Sequence, residues 1–246
     1  TRPDWVIHCA ALANLEACEA DPVLASQLNT ELPRQLAQLC SETRRDVTRG
    51  GARLVHISTD AVFDGSRGDY RETDAPSPLG VYARTKLEAE WAVAEAYPSA
   101  IIARVNLFGW SMNGRRSLAE FFFNNLSAGK QVKGFTDVIF CPLLANDMAH
   151  ILAHMLELGL SGVYHTVGGE CLSKYAFGVQ LAKRFGLDPG LITPASVHQA
   201  GLGAARAPNL SLRTDKLAAA LGAPLPSLSP ALEHFYTLYQ QGYPQM

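Results

Sequence analysis

A surplus of charge is missing from this 246-residue sequence: 21 Lys and Arg face 23 Asp and Glu, for a formal net charge of −2. Without a positive excess there is no electrostatic footprint for a nucleic-acid backbone or an anionic membrane, and neither is expected as a partner. Long apolar runs are missing too. No window reaches the roughly 18 residues a membrane span needs, and the first residues lack the regions of a signal peptide, so a soluble, cytoplasmic protein is expected. Cysteine is scarce, and Cys9, Cys18, Cys40, Cys141 and Cys171 are odd in number and widely spaced, with no C-x-x-C pair. Neither a zinc site nor a disulfide framework is indicated, and reduced thiols are expected. An initial methionine is absent as well: the chain opens on Thr1 and soon enters the apolar run Trp5-Val6-Ile7-His8-Cys9-Ala10, which reads as a start in mid-fold.

What is present is ordinary core material, 48% hydrophobic with 10 Phe and 3 Trp. At roughly 150 residues per domain it suffices for one large domain or one and a half. Short apolar runs alternate with helical stretches, the pattern of β-α-β units on a parallel sheet. Strands are expected at 4–10, 53–58 and 100–105. The spacing of Val23, Leu24, Leu28, Leu32, Leu36 and Leu39 predicts a helix over 22–40, opened by Asp21 and Pro22. Leu87, Trp91 and Ala94 predict another over 82–97. The stretches 65–68 and 75–78 are loop chemistry, and long loops after parallel strands usually build sites. Beyond about residue 110 a smaller mixed lobe is expected, with helices at 117–128, 146–158 and 173–185 and strands at 131–134 and 162–166.

The chemistry concentrates in Ser58-Thr59-Asp60, at the end of the second strand, and in Tyr82-Ala83-Arg84-Thr85-Lys86. Tyr82 and Lys86 stand at i and i+4, on one face of a helix. A phenol is a poor acid–base catalyst near neutrality until a cation favours its ionised form, and Lys86 can supply that cation. Thr59 could then hold a carbonyl oxygen while Tyr82 protonates it.

Taken with His8-Cys9-Ala10-Ala11, Gln27-Leu28-Asn29, Val55 to Gly65, Tyr70-Arg71-Glu72-Thr73-Asp74 and Arg206-Ala207-Pro208-Asn209-Leu210-Ser211-Leu212, these motifs make the chain resemble the extended short-chain dehydrogenases/reductases, in the dTDP-4-dehydrorhamnose reductase-like branch. The resemblance implies a doubly wound, Rossmann-like α/β fold. Residues 1–110 would be the carboxyl-terminal half of the dinucleotide-binding domain and 111–246 mainly a substrate lobe, interleaved with the last elements of the sheet. It implies an NAD(P)H-dependent reductase of a 4-keto sugar nucleotide, with NADP slightly favoured over NAD. By the same resemblance Tyr82 is the proton donor, Lys86 orients the nicotinamide ribose, Thr59 binds the carbonyl and Asn29 supports a proton relay. Ala10 and Ala11 line the cofactor, and Ser58, Asp60, Asn106, Arg206 and Asn209 join Thr59 on the substrate. A homodimer is possible. The alternatives are an epimerase or dehydratase of the same superfamily, or a regulatory subunit resembling the methionine adenosyltransferase beta subunit, to which Leu172-Ser173-Lys174-Tyr175 is similar.

The sequence departs from that pattern in three places. No G-x-G-x-x-G turn precedes a helix, so the element that seats a pyrophosphate is not found and the chain reads as amino-terminally truncated. Ala61 stands where the family has tyrosine, and Arg104-Val105-Asn106-Leu107 lacks the family's tryptophan, which predicts a roomier sugar pocket. Other candidates have plainer readings. His150 and His154 fit a helix surface better than a metal site, His56 a hydrogen-bonded core histidine, and Phe121-Phe122-Phe123 a helix core. Arg206 and Asn209 could equally belong to a loop salt bridge.

Overall fold

Each early apolar run becomes one strand of a parallel sheet. The computed structural model describes residues 3–45, 52–199 and 207–243. It opens with β1 (Trp5–His8), α1 (Leu15–Ala20), α2 (Pro22–Ser26), a π-helical turn at Gln27–Glu31 and α3 (Leu32–Arg45). β2 (Arg53–Thr59) passes through a 3-10 turn at Asp60–Val62 and a long excursion into α4 (Val81–Ala96) and β3 (Ile101–Val105). There follow β4 (Leu107–Phe108), α5 (Leu118–Ser127), β5 (Val132–Phe135), β6 (Ile139–Phe140), β7 (Leu143–Leu144), α6 (Ala145–Glu157) and β8 (Gly162–His165). The chain continues through β9 (Leu172–Ser173), α7 (Lys174–Arg184), β10 (Ile192–Ala195), α8 (Asp215–Leu221) and α9 (Leu228–Gln240). Among the described residues the main sheet has the order β1-β2-β3-β8, all parallel.

The runs in β2 and β3 are nearly continuous because both faces of the sheet are covered. Leu54 and Ile102 pack with Ala37, Cys40 and Val93 on one side, and Val55, Ile101, Ala103 and Val105 with Leu152, Met155 and Leu217 on the other. A second, aromatic core joins Phe122 of α5, Phe177 of α7 and Phe235 of α9. The Phe121-Phe122-Phe123 run divides over it: Phe122 is buried, Phe123 packs on Trp110 and Phe185, and Phe121 is exposed. No helix among the described residues is long and apolar enough to cross a membrane.

The helix expected at 22–40 differs in two respects. Pro33 has no N–H to give the Asn29 carbonyl and its ring crowds that oxygen, so the helix widens and Leu32 N–H bonds the Gln27 carbonyl instead. The face it buries carries Ala25, Asn29, Thr30, Pro33, Ala37 and Cys40, whereas Val23, Leu24, Leu32 and Leu39 are exposed, as are Trp5 and Ile7 on the edge strand. Small residues win the inner face because α3 and its π turn pack closely on α4.

The expectation of reduced thiols throughout is corrected at one pair. Cys141 and Cys171 are disulfide-bonded, one step beyond the antiparallel pairing of Phe140 with Leu172, while Cys9, Cys18 and Cys40 are not in disulfides. A separation of 30 residues in sequence concealed a juxtaposition that the β6–β9 ladder creates.

Candidate active site

The site lies at the carboxyl ends of β1 and β2, where α4 begins. Gly80 precedes α4 and offers no capping side chain, so Glu19 of α1 supplies the cap: its Oε1 accepts from Val81 N at 2.8 Å. A Cβ at Gly80 would stand 2.8 Å from that oxygen, so a side chain here would push the capping carboxylate aside. From this start α4 presents Tyr82, half-buried, and Lys86, buried, one turn apart on the expected face.

Thr59 ends β2 beside the Tyr82 phenol, and its hydroxyl favours the ionised form of that phenol. The Thr59 Oγ1 donates to Asp60 Oδ1 at 3.1 Å and accepts from Ala61 N at 3.2 Å. Burial pushes the phenol up to about 12, against the pull of the Thr59 hydroxyl, so the depression expected from Lys86 is not what the geometry gives. The ammonium points elsewhere: Lys86 Nζ donates to the Ile57 carbonyl at 2.7 Å and lies 3.4 Å from His56 Nε2. Burial brings Lys86 down to about 8, with Glu90 and Cys9 opposing the shift. A neutral phenol holding its proton beside a strand-end hydroxyl is equipped to donate that proton to an oxygen bound between them.

Successive side chains of a strand face opposite ways, which separates Ser58 from Thr59, while Asp60 already belongs to the 3-10 turn that follows. Ser58 is turned from the site, its Oγ donating to Glu90 Oε1 at 2.5 Å. That carboxylate is also held by Arg104, with Nη2 to Oε2 at 2.7 Å and Nε to Oε1 at 3.0 Å, both side chains being buried. Arg104 Nη1 lies 3.4 Å from His165 Nε2, and burial lowers that imidazole to about 4. Asp60 is buried as well, with Asn106 Nδ2 donating to its Oδ2 at 2.5 Å. Burial raises Asp60 to about 6, opposed by the bonds from Asn106 and Thr59 and by the charge of Lys174. Ser58 and Asp60 are thus both bonded inside the protein, the one to Glu90 and the other to Asn106.

The ionisation of Asp60 yields a stability prediction. Its folded pKa lies above the unfolded value, so the group costs nothing below about 4, and its penalty grows as pH rises from about 4 to about 6 and levels off above that. Relative to Asp60→Asn, the wild type should lose about 2 kcal/mol of unfolding free energy between pH 4.5 and 7.5. Urea denaturation of both proteins across that range measures it, and a constant difference would refute it.

A cavity of about 280 Å³ opens beside Tyr82, lined also by Ala61, Phe63, Asn106, Phe140 and Lys174. It unites the end of β2, the start of α4 and the β6–α7 region of the lobe. The profile of the RmlD substrate binding domain matches residues 1–241. The chain belongs to this family.

Among RmlD-type relatives, a Haloferax volcanii protein named as a probable low-salt glycan biosynthesis reductase is 32% identical over 93% of this chain and 75% of its own length. The beta subunit of methionine adenosyltransferase 2 from Danio rerio is 30% identical over 88% of this chain and 66% of its own. A dTDP-4-dehydrorhamnose reductase from Bacillus anthracis, solved in complex with NADP, superposes with a TM-score of 0.86 at 25% identity, covering 96% of this chain and 81% of that one. The chain thus spans three-quarters of the first relative and just under two-thirds of the second.

Within this RmlD-type scaffold the other expected site residues fall as follows. Ala10 and Ala11 are exposed just past β1. Asn29 is fully buried: its Oδ1 accepts from Leu12 N at 2.7 Å, and its Nδ2 donates to Leu12 O and Thr85 Oγ1, each at 3.1 Å, bracing the loop after β1 against α4. Asn209 is spent on the loop it stands in, accepting from Ser211 N and lying against Gly68, and it does not line the cavity. Arg206 lies outside the described residues. Leu107 packs into the core beneath the sheet, so of the two departures expected to enlarge the sugar pocket only Ala61 faces it. His150 and His154 form no metal cluster among the described residues, and His154 pairs with Glu157. Sequence reasoning passed over Lys174 and Glu19 as site residues: one comes from the lobe and the other from α1, and no local pattern links either to Tyr82.

Proposed function

We propose that this chain carries the catalytic residues of an NAD(P)H-dependent reductase acting on a 4-keto sugar nucleotide, with residues 1–110 as the dinucleotide half and 111–246 mainly as the substrate lobe. The observation that carries the proposal is the placement of the Thr59 hydroxyl beside the Tyr82 phenol, which lines the cavity, with Lys86 one turn below. The carbonyl oxygen sits between the Thr59 hydroxyl and the Tyr82 phenol, Thr59 polarises it and Tyr82 gives it a proton. Asn106 and Lys174 meet the polar parts of the sugar nucleotide, and Asn29 keeps the Tyr82 helix in place.

The residues fit the nicotinamide end of a dinucleotide. Ala10 and Ala11 leave small, exposed surface at the end of β1, and Lys86 lies at the strand ends, where ligands of parallel sheets bind. A reduced nicotinamide, when bound, supplies hydride to the carbonyl carbon. NADPH is taken as the donor on the likeness to the Bacillus anthracis enzyme. Because Lys86 holds its charge only below about 8, the KM for NADPH should be flat on the acid side and rise by up to about tenfold per pH unit above that point. A KM unchanged from pH 6 to pH 10 would remove Lys86 from cofactor binding.

Turnover of NADPH with a dTDP-4-keto-6-deoxy sugar tests the proposal. Substrate-dependent oxidation that Tyr82→Phe abolishes supports it. No turnover of any 4-keto sugar nucleotide, with stoichiometric co-purification of a larger enzyme, supports the regulatory-subunit reading instead, which the likeness to the methionine adenosyltransferase subunit keeps in view.

A further inference from the structure

Lys86 is the first member of a buried line of three. Its Nζ lies 3.4 Å from His56 Nε2, and His56 Nδ1 lies 3.4 Å from His8 Nδ1, the two rings stacked with centroids 5.6 Å apart. His56 is fully buried, His8 is 9% exposed, and His8 Nε2 is buried with no hydrogen-bond partner. We infer that His56, backed by His8, is a positioning residue for Lys86, fixing the ammonium by accepting one of its protons at Nε2.

An ammonium has three donors and no acceptor, so His56 Nε2 has to be the bare nitrogen. The proton of the neutral ring is then on Nδ1 and points to His8. His8 Nδ1 must accept it, which leaves the proton of His8 on Nε2. One tautomer assignment therefore runs along the whole line, a constraint that a merely packed core histidine would not carry. A charged His56 would bring a second cation to within 3.4 Å of the first in a buried site. Burial, the charge of Lys86 and His8 together hold its pKa well below the usual histidine range. The other titratable groups acting on Lys86 are Glu90 of its own helix and Cys9 at the end of β1. The first is already engaged by Arg104 and Ser58, and burial raises the second, which keeps it a thiol.

The catalytic meaning of this arrangement rests on the reductase proposal, but the geometry does not, and two measurements without turnover test it. Long-range proton–nitrogen spectra of the 15N-labelled chain at neutral pH should find His56 neutral with its proton on Nδ1 and His8 neutral with its proton on Nε2. Titration of Lys86 by 13Cε NMR should then compare the wild type with His56→Gln and His56→Met, side chains of similar length of which only Gln supplies a strong acceptor. Gln should leave the midpoint within a few tenths of a pH unit. Met should lower it by about one unit, and in active protein the alkaline rise of the cofactor KM should move with it. A proton found on His56 Nε2, or a folded Met variant in which Lys86 titrates as in the wild type, overturns the inference. If the Met variant does not fold, the tautomers of the wild type decide alone. Expected tautomers and titration in a chain inactive on every keto sugar would sink the reductase proposal and leave this one standing.

Discussion

Replacing Tyr82 with Phe is expected to lower kcat by on the order of a hundredfold or more while leaving the KM for the sugar nucleotide within about a factor of three. The ring itself should be indifferent to the change. It packs against the cluster of Cys18, Ala25 and Val81, which a phenyl group fills equally well. What disappears is the one group at the carbonyl that both holds a proton and can release it. Thr59 is an alcohol and far weaker as an acid, and Lys86 is turned to Ile57 and His56. With the phenol pushed up to about 12, Tyr82 is protonated across the physiological range, so the loss should be the same at pH 6 and pH 8. Pre-steady-state kinetics with deuterated nicotinamide would show whether hydride transfer limits the rate. Near-full turnover of the Phe variant, with that step limiting, would remove Tyr82 from the chemistry.

The second large effect concerns stability. Glu90→Ala should cost about 3–5 kcal/mol of unfolding free energy, because it strands Arg104 in a buried site and leaves the Ser58 hydroxyl without its acceptor. Set against a total of about 5–15 kcal/mol for a domain, that is enough to leave the variant poorly folded. Arg104 has other company, namely the Phe63 ring with its centroid 5.1 Å from the guanidinium carbon, and the neutral His165, but neither carries a negative charge. Removing both charges in Glu90→Gln/Arg104→Met should recover much of the loss, because the desolvation penalty leaves with them. Urea denaturation of the single and double variants decides it. A double variant less stable than Glu90→Ala would show that packing, not the stranded cation, sets the cost.

The fold was largely legible because its signals are local. The strands at 53–58 and 100–105 are nearly continuous apolar runs, and the helix at 82–97 shows its period, so β2, β3 and α4 fall within a residue or so of expectation. The Tyr82–Lys86 pair was legible for the same reason: a spacing of four fixes a shared face before any tertiary contact is known. What escaped notice depends on partners distant in sequence. The leucines of 22–40 suggest a buried stripe, but the small residues between them pack on α4, and Pro33 re-phases the helix. Cys141 and Cys171 meet only because β6 and β9 pair. Ser58, Thr59 and Asp60 look alike in sequence as polar strand-end residues, and only the structure sends Ser58 to Glu90, Thr59 beside Tyr82 and Asp60 to Asn106.

The alternation of side chains along β2 makes the buried ion pair a register pin for the chemistry. In a parallel strand a slip of one residue exchanges every inward and outward side chain, and in β2 it would carry the Ser58 hydroxyl to the substrate and put Thr59 against the arginine. The branched threonine would then crowd a carboxylate that now receives a short serine bond, and the slipped arrangement loses the Glu90–Arg104 geometry in the same step. Substitutions at Glu90 can therefore abolish turnover in protein that still retains its secondary structure, without Glu90 ever touching a reactant. Activity assays alone would misfile it beside Tyr82, and only the urea midpoint tells the two apart.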